Sequence, residues 1–382
     1  MKFIVHGGTL SRSLNSILGL VSKNNTIPIV ENFLFELNGK TLNITASDLE
    51  TVANVSIELQ DAEEIGVTRV CIPGKDLNTL VSQLTDSPLN IFVNEDYSVD
   101  IATNEGGKYN FKGLDAEDYP QMITIEDKNE FTIHSATFVN AINKTLFATS
   151  NDEFRPQMAG VLCEFSPKGL TFVGTDSHKL VRFRNTSYAT DDEKAFILPK
   201  KTLNLMGKIL SSINEDIEIK VENNVSNIAF YFNNYHFACR LIEGKYPQYE
   251  AAIPVNNPNK LLVAKNQLTD SVKRISIFTN QATNQIRFEV TGKEIIIQAE
   301  DIDAQNKAQE RVACSYEGED MVIGLNAKYL LEILNNIDTE NVCFEMSKPE
   351  RPCIVTPYDE ENKEEQQTES LLMLVMPVIL MN

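Results

Sequence analysis

The sequence contains no tryptophan and only four histidines among its 382 residues. None of these histidines lies within helical or hairpin spacing of another histidine or of a cysteine, so we expect no metal site. The six cysteines form no CxxC pair, as expected of reduced, packed thiols. No apolar run reaches the roughly 18 residues of a membrane-spanning helix, and no signal peptide is evident. These absences predict a cytoplasmic protein with no membrane partner and no cofactor.

Residues with catalytic spacing are equally scarce. Gly39-Lys40-Thr41 lacks the glycine that a phosphate-binding loop carries five residues earlier, and we interpret it as a hairpin turn. The densest polar segment is 175–179, which reads Thr-Asp-Ser-His-Lys. Members of a catalytic triad converge from separate segments, because neighbours on an extended chain point to opposite faces. A hydrolase that uses Asp176 and His178 is therefore kept only as an alternative.

A threefold internal repeat decides the predicted fold. An apolar strand followed by an amphipathic helix occurs three times, with helix starts at Thr9, Ser135 and Ala264 that are 126 and 129 residues apart. Between helices the hydrophobic pattern alternates with a period of two, which indicates strands. A second helix of each copy is predicted within 73–84, 199–213 and 326–337.

The repeats predict an α+β protein of three similar domains, each with two helices on antiparallel β-sheets. Tyrosine-proline pairs at Tyr119 and Tyr246 mark the junctions between copies. We place an N-terminal domain at 1–126, a central domain at 127–255 and a C-terminal domain at 256–382.

Charge is distributed unevenly between the predicted elements. The whole chain has a formal charge of −20, but the six predicted helices together carry +8 and the remainder −28. The acidic run 359–365 is interpreted as a solvated loop. A basic helical side with acidic surroundings attracts a polyanion to that side alone. No basic stripe rich in aromatic residues is present, so duplex backbone is favoured over single strands. A β-rich scaffold without a DNA role is the second alternative.

Several ordered motifs resemble the bacterial DNA polymerase III beta subunit family, the replicative sliding clamps, from residue 1 to about 380. They are Met1-Lys2-Phe3, Thr26–Ile29, Ala46–Glu50, Val173–Leu180, Tyr246–Tyr249 and Val375–Leu380. The resemblance implies the DNA clamp fold and a ring-shaped, head-to-tail homodimer with helices lining the hole. It also implies a non-catalytic processivity factor that encircles duplex DNA and tethers the replicative polymerase.

The resemblance assigns three sets of residues, and we add candidate basic positions from the helices. The DNA-facing set is Lys23, Asn24, Lys75, Arg155, Gln157, Lys200, Lys201, Lys273 and Arg274. The dimer interface is Tyr109 and Phe111 on one side, with Ile277 and Phe278 on the other. The cleft for client peptides comprises Met158, Thr175, Ser177, His178, Lys179, Leu180, Pro247, Ala252, Asn326, Tyr329, Leu374, Met376, Pro377 and Val378.

Expected partners are duplex DNA without sequence preference, a second copy of the chain, the polymerase alpha subunit, the clamp loader and other clients carrying a short clamp-binding peptide. Ile379 stands where the family often has arginine, and Ala251 and Ala252 stand where larger or charged residues are found. We therefore expect a more apolar cleft rim and an altered peptide preference.

Overall fold

A computed structural model describes residues 1–21, 27–191, 193–359 and 368–380. They belong to two compact units, the first comprising Met1–Val139 and Lys201–Leu241, the second Asn140–Lys200 and Ile242–Asn382. Residues of the predicted central domain occur in both units, and the three domain boundaries stay predictions. Lys23, Asn24 and most of the acidic run 359–365 lie outside the described residues.

Each α-helix of the described residues begins directly after a strand, as the repeat predicts. In the first two copies the first helix is shorter than predicted, because the chain tightens into a 3-10 turn. Such a turn follows at Leu18–Leu20 in the first copy and at Leu146–Ala148 in the second, and it satisfies terminal carbonyl groups. The helices are α1 (Gly7–Ile17), α2 (Gly74–Val81), α3 (Ser135–Thr145), α4 (Lys200–Ser211), α5 (Lys265–Ser276) and α6 (Ala327–Asn335).

The first unit contains two antiparallel sheets. The five-stranded sheet has the order β5-β1-β7-β8-β9, and the eight-stranded sheet has the order β10-β15-β16-β17-β4-β3-β2-β6. Their strands are β1 (Lys2–His6), β2 (Asn32–Asn38), β3 (Thr41–Ser47), β4 (Thr51–Glu58), β5 (Asp61–Glu63), β6 (Arg69–Pro73), β7 (Pro88–Val93), β8 (Ser98–Thr103), β9 (Lys108–Lys112), β10 (Asn129–His134), β15 (Glu218–Asn223), β16 (Asn227–Phe232) and β17 (Tyr235–Arg240). The predicted turn at Gly39 is confirmed, since Gly39 joins β2 to β3 with a φ of 60°.

The second unit contains one continuous twelve-stranded antiparallel sheet. Its order is β14-β11-β12-β13-β25-β24-β23-β18-β21-β20-β19-β22. The strands are β11 (Gly160–Ser166), β12 (Gly169–Thr175), β13 (Lys179–Asn185), β14 (Lys194–Pro199), β18 (Asn259–Ala264), β19 (Gln285–Val290), β20 (Glu294–Asp301), β21 (Asn306–Glu317), β22 (Met321–Asn326), β23 (Asn341–Met346), β24 (Cys353–Tyr358) and β25 (Glu369–Val375).

Apolar faces of the helices pack on these sheets. In α1, Leu10, Leu14 and Ile17 are fully buried, at the spacing of one helical face. A fully buried side chain of this size contributes about 1.5–3 kcal/mol. All six cysteines are free, and burial raises the pKa of the Cys71 and Cys239 thiols to about 12. These two thiols stay protonated at neutral pH.

The two junction tyrosines have the same structural role. The Tyr119 hydroxyl lies 3.2 Å from the carbonyl oxygens of Asn32 and Thr45. The Tyr246 hydroxyl donates to the Val173 carbonyl oxygen at 3.1 Å. Both rings are buried, so each tyrosine fastens its junction segment to a sheet of its own unit.

Candidate functional site

The segment 175–179 forms a tightly bonded turn between β12 and β13. The Asp176 carboxylate accepts from the backbone N–H groups of His178 and Lys179, both at 2.9 Å. The Thr175 hydroxyl donates to the Lys179 carbonyl at 2.8 Å. These bonds hold Ser177 at a φ of 76°, a left-handed conformation that residues other than glycine seldom adopt. The hydrogen bonds within the turn therefore hold its backbone in one conformation.

This turn does not assemble a catalytic relay within the described residues. No hydrogen bond there joins the His178 imidazole to Ser177 or to Asp176. The Ser177 hydroxyl accepts instead from Arg155 Nη1 at 2.7 Å. The imidazole stacks on the Tyr329 ring, with centroids 5.4 Å apart and planes at 13°. The His178 ring is thus positioned by stacking on Tyr329 and not by hydrogen bonds to a nucleophile or an acid. This arrangement does not favour the hydrolase alternative.

The Lys179 ammonium is buried between two carboxylates. Its Nζ lies 2.6 Å from Asp176 Oδ2 and 2.9 Å from Glu332 Oε2. It also lies 4.7 Å from the centre of the Tyr329 ring, within cation–π distance. Burial alone would lower the pKa of Lys179, but the hydrogen bond to Asp176 and the ion pair with Glu332 outweigh it and raise the pKa above the ordinary lysine value. The ammonium is therefore charged at neutral pH.

An apolar cluster lies behind the turn. Leu180 of β13 is directly opposite Leu374 of β25, and both are buried. The cluster consists of Leu162, Val173, Leu180, Ile197, Tyr246, Tyr249 and Leu374. Four of the predicted cleft residues are buried and support the surface from behind: Thr175, Lys179, Leu180 and Leu374. The exposed or half-buried ones are Met158, Ser177, His178, Pro247, Ala252, Asn326, Tyr329, Met376, Pro377 and Val378.

The C-terminal tail closes one side of this surface. Met376 N–H donates to the His178 carbonyl at 2.8 Å, and Val378 N–H donates to the Gly324 carbonyl at 2.9 Å. A Cβ on Gly324 would lie 2.5 Å from the Val378 carbonyl oxygen, so this approach requires glycine. Between the tail, β22 and residues 349–350 lies a cavity of about 590 Å³.

Most predicted cleft residues are linked to one another in the structure. Ser177 Oγ is 3.4 Å from Met158 Sδ, and the Asn326 side chain accepts from the backbone N–H groups of Lys328 and Tyr329 at the start of α6. Pro247 and Ala252 have no such direct link among the described residues and are positioned by their neighbours Tyr246 and Tyr249. The cleft set predicted from the sequence omits Gly324 and Glu332. Their partners, Val378 and Lys179, are remote in sequence, so no local pattern indicates them.

In the first unit, Lys75 is exposed on α2, whereas Lys201 on α4 pairs with Asp48 at 2.5 Å. A groove of about 1000 Å³ between α1 and α4 adds two cations that the sequence-based set omits, Arg12 and Lys208. Hydroxyl and amide side chains line most of the remainder, and no carboxylate of the described residues lines it. The groove is suited to a phosphate backbone.

In the second unit, most of the predicted DNA-facing side chains have protein partners. Lys200 Nζ is 3.1 Å from Asn151 Oδ1, and Gln157 Nε2 donates to the Glu243 carbonyl at 3.3 Å. Arg274 makes two 2.7 Å bonds to the Glu310 carboxylate. Lys273 beside it is exposed and pairs with no carboxylate among the described residues.

The predicted interface residues occupy an edge and a helix end. Tyr109 and Phe111 lie half-buried on β9, the last strand of the five-stranded sheet. Ile277 follows α5 and is 71% exposed, whereas Phe278 packs partly against the core of the second unit. An edge strand offers unpaired backbone groups for pairing with another chain.

Two absences hold for the part of the chain that the structure describes. No group of three or more histidine, cysteine, aspartate or glutamate side chains there could hold a metal ion. No helix in the described ranges is long and apolar enough to cross a membrane.

Three family models match the chain in order. The N-terminal, central and C-terminal domains of the DNA polymerase III beta subunit match residues 1–123, 132–248 and 250–373. The beta sliding clamp of Staphylococcus epidermidis is 27% identical over 384 residues, covering 99% of both chains. That of Pseudomonas aeruginosa is 26% identical over 363 residues, covering 95% of this chain and 97% of the relative.

Solved structures agree with these matches. A Pseudomonas aeruginosa sliding clamp bound to griselimycin has a TM-score of 0.91 at 26% identity, with all of both chains covered. The beta subunit of Thermotoga maritima, at 23% identity and a TM-score of 0.89, shares the fold over all of both chains. The threefold repeat and the antiparallel sheets are thus the three-domain clamp fold. The chain belongs to the DNA polymerase III beta subunit family, the non-catalytic sliding clamps of DNA replication.

Proposed function

We propose that this protein encircles duplex DNA as a head-to-tail homodimeric ring and tethers the replicative polymerase to it. The observation that carries the proposal is the ordered match of all three clamp domains along one chain. A closed ring is retained by topology, so contacts with DNA need only be weak and independent of sequence. Tethering raises the effective concentration of the polymerase at the DNA, so a polymerase that dissociates rebinds.

Charge supports the proposed DNA surface. Phosphate contacts give affinity without base readout, and hydroxyl or amide groups can add to them. The groove of Arg12 and Lys208 contains both kinds of donor, and its described lining includes no carboxylate. Exposed Lys75 and Lys273 add cations on other helices that pair with no carboxylate in the part of the chain that the structure describes. The DNA therefore contacts helical faces and slides along them.

The proposed ring closes through the β9 edge of one subunit and the end of α5 of the other. Ile277 supports this, because an isoleucine that is 71% exposed exposes apolar surface that a partner could bury. Pairing of one patch with a different patch generates a ring only if the rotation per subunit closes. We propose that two copies of three domains close the ring in this way.

The second unit supplies the proposed client cleft. His178 and Met376 are exposed and Tyr329 is half-buried; the Tyr329 ring stacks on His178, whose carbonyl accepts from the Met376 N–H, and methionine adapts to different partners. The relative from Pseudomonas aeruginosa binds griselimycin. We extend binding of this compound to the present chain and assign the polymerase alpha subunit and the clamp loader as clients.

Retention on DNA tests the ring. The protein is loaded on nicked circular DNA, and half of the sample is linearised in salt high enough to suppress phosphate contacts. Retention on circles with loss from linear ends is expected. Ile277→Asp should abolish retention on circles, whereas Val225→Asp, an exposed control in the turn between β15 and β16, should not. Equal loss of the unmodified protein from both DNA forms would contradict the proposal.

A further inference from the structure

The Lys179 side chain connects two segments that form different walls of the proposed cleft. One carboxylate partner, Asp176, belongs to the turn before β13, and the other, Glu332, belongs to α6. The Lys179 side chain is only 5% exposed, against 14% for Asp176 and 34% for Glu332. A bound peptide would therefore meet the neighbours of Lys179 and not its ammonium.

We propose that Lys179 is a positioning residue that sets the alignment of the His178 and Tyr329 rings. This inference rests on the proposed client cleft and specifies how its walls are held. The Tyr329 ring lies 4.7 Å from the ammonium and stacks on the imidazole at 5.4 Å. The Lys179 ammonium thus contacts three parts of the cleft. It pairs with Glu332 of α6, it lies over the face of the Tyr329 ring, and it pairs with Asp176 of the turn.

Loss of the charge has a defined local consequence. Asp176 and Glu332 would face each other without a cation between them, and like charges at short distance repel. The backbone bonds of Asp176 to His178 and Lys179 would remain, so the turn would keep its shape. The expected change is a displacement of α6 and Tyr329 relative to His178.

The experiment combines binding with a spectroscopic reporter of the two rings. Griselimycin affinity is measured by calorimetry on the full chain, and the His178 Hε1 resonance is recorded on protein labelled at histidine. His178→Gln assigns that resonance among the four histidines. A proton stacked on an aromatic face is shifted upfield, so the resonance reports the stacking without any ligand.

Lys179→Met should weaken griselimycin binding about tenfold or more and move the His178 resonance downfield. Lys179→Arg keeps the charge and offers donors to both carboxylates, and should retain the native resonance and affinity within about threefold. The matched control is Lys260→Met, which removes a 60% exposed strand lysine that lies 4.0 Å from Glu345. It should change neither measurement.

A folded Lys179→Met protein with the native resonance and native affinity would overturn the inference. If that variant does not fold, Glu332→Gln decides, because it keeps the pair of Lys179 with Asp176. A displaced His178 resonance in Glu332→Gln supports the inference, and an unchanged one refutes it. If the unmodified protein fails to bind griselimycin, the proposed cleft is withdrawn, while the resonance still decides the role of Lys179.

Discussion

The division of the predicted DNA-facing cations into paired and unpaired ones makes a quantitative prediction. A cation that neutralises one phosphate contributes about 0.9 to the slope of log affinity against log salt concentration. Lys75→Gln and Lys273→Gln should each lower the slope by about this amount. Between 50 and 200 mM salt, each variant should then lose about 3.5-fold less affinity than the unmodified protein.

Paired cations should contribute less to that slope. Arg274 would have to release two 2.7 Å bonds to Glu310, and Lys201 would have to leave Asp48, which is almost fully buried. Each of these two cations brings a carboxylate close to the DNA. We therefore expect Lys201→Gln and Arg274→Gln to change the slope by less than about half as much as the unpaired variants.

Fluorescence anisotropy with a labelled 30-base-pair duplex, titrated from 25 to 200 mM NaCl, measures these slopes. Lys293→Gln serves as the control, since Lys293 is exposed in the turn between β19 and β20 and lies outside the predicted set. Equal changes in the paired and unpaired variants would refute the reasoning. A change of the same size in Lys293→Gln would show that only net charge matters.

Three further predictions concern the tail, a junction and acid stability. Gly324→Ala places a Cβ 2.5 Å from the Val378 carbonyl oxygen and should weaken griselimycin binding about tenfold by calorimetry. Gly292→Ala, where nothing lies within 4 Å, should bind normally, and equal affinities would contradict the role of the tail. Tyr246→Phe removes the hydrogen bond from the buried hydroxyl to the Val173 carbonyl and should cost about 0.5–1.5 kcal/mol in urea unfolding; an unchanged midpoint would reject this. Hydrogen bonds from Lys128 and Lys220 outweigh burial and lower the pKa of Glu222 to about 2. Its stabilisation is therefore complete above pH 4.5 and lost as the pH falls towards 2, so Glu222→Gln should flatten the urea midpoint between pH 5 and 3, and an unaltered pH profile would count against it.

The repeat could be predicted because it depends on local patterns of hydrophobic residues. Each helix begins where an apolar strand ends, and the turn at Gly39 follows from its residues alone. The predicted first helices extended too far, to Lys23 and Ser150. Helical periodicity continues through a 3-10 turn without a visible break, so the end of α1 at Ile17 could not be located from the pattern.

The cleft could be predicted only as a set of positions. Thr175 and Leu180 belong to the predicted set, but their burial depends on β13 pairing with β25, almost two hundred residues later. Burial of a side chain is a property of such pairings, which no local window contains. The sequence could therefore not separate residues that a peptide touches from those that support the surface.

The sequence by itself determined the threefold repeat, the family and the basic character of the helices, because periodicity, motif order and composition are local or additive. Only the tertiary structure decided which charged side chains form ion pairs with other residues of the chain. Lys179 is held between Asp176 and Glu332, and Arg274 is bound to Glu310, whereas Lys75 remains unpaired in the described residues. These differences arise because an ion pair requires two side chains within about 4 Å, and distance between remote segments exists only after the chain has folded.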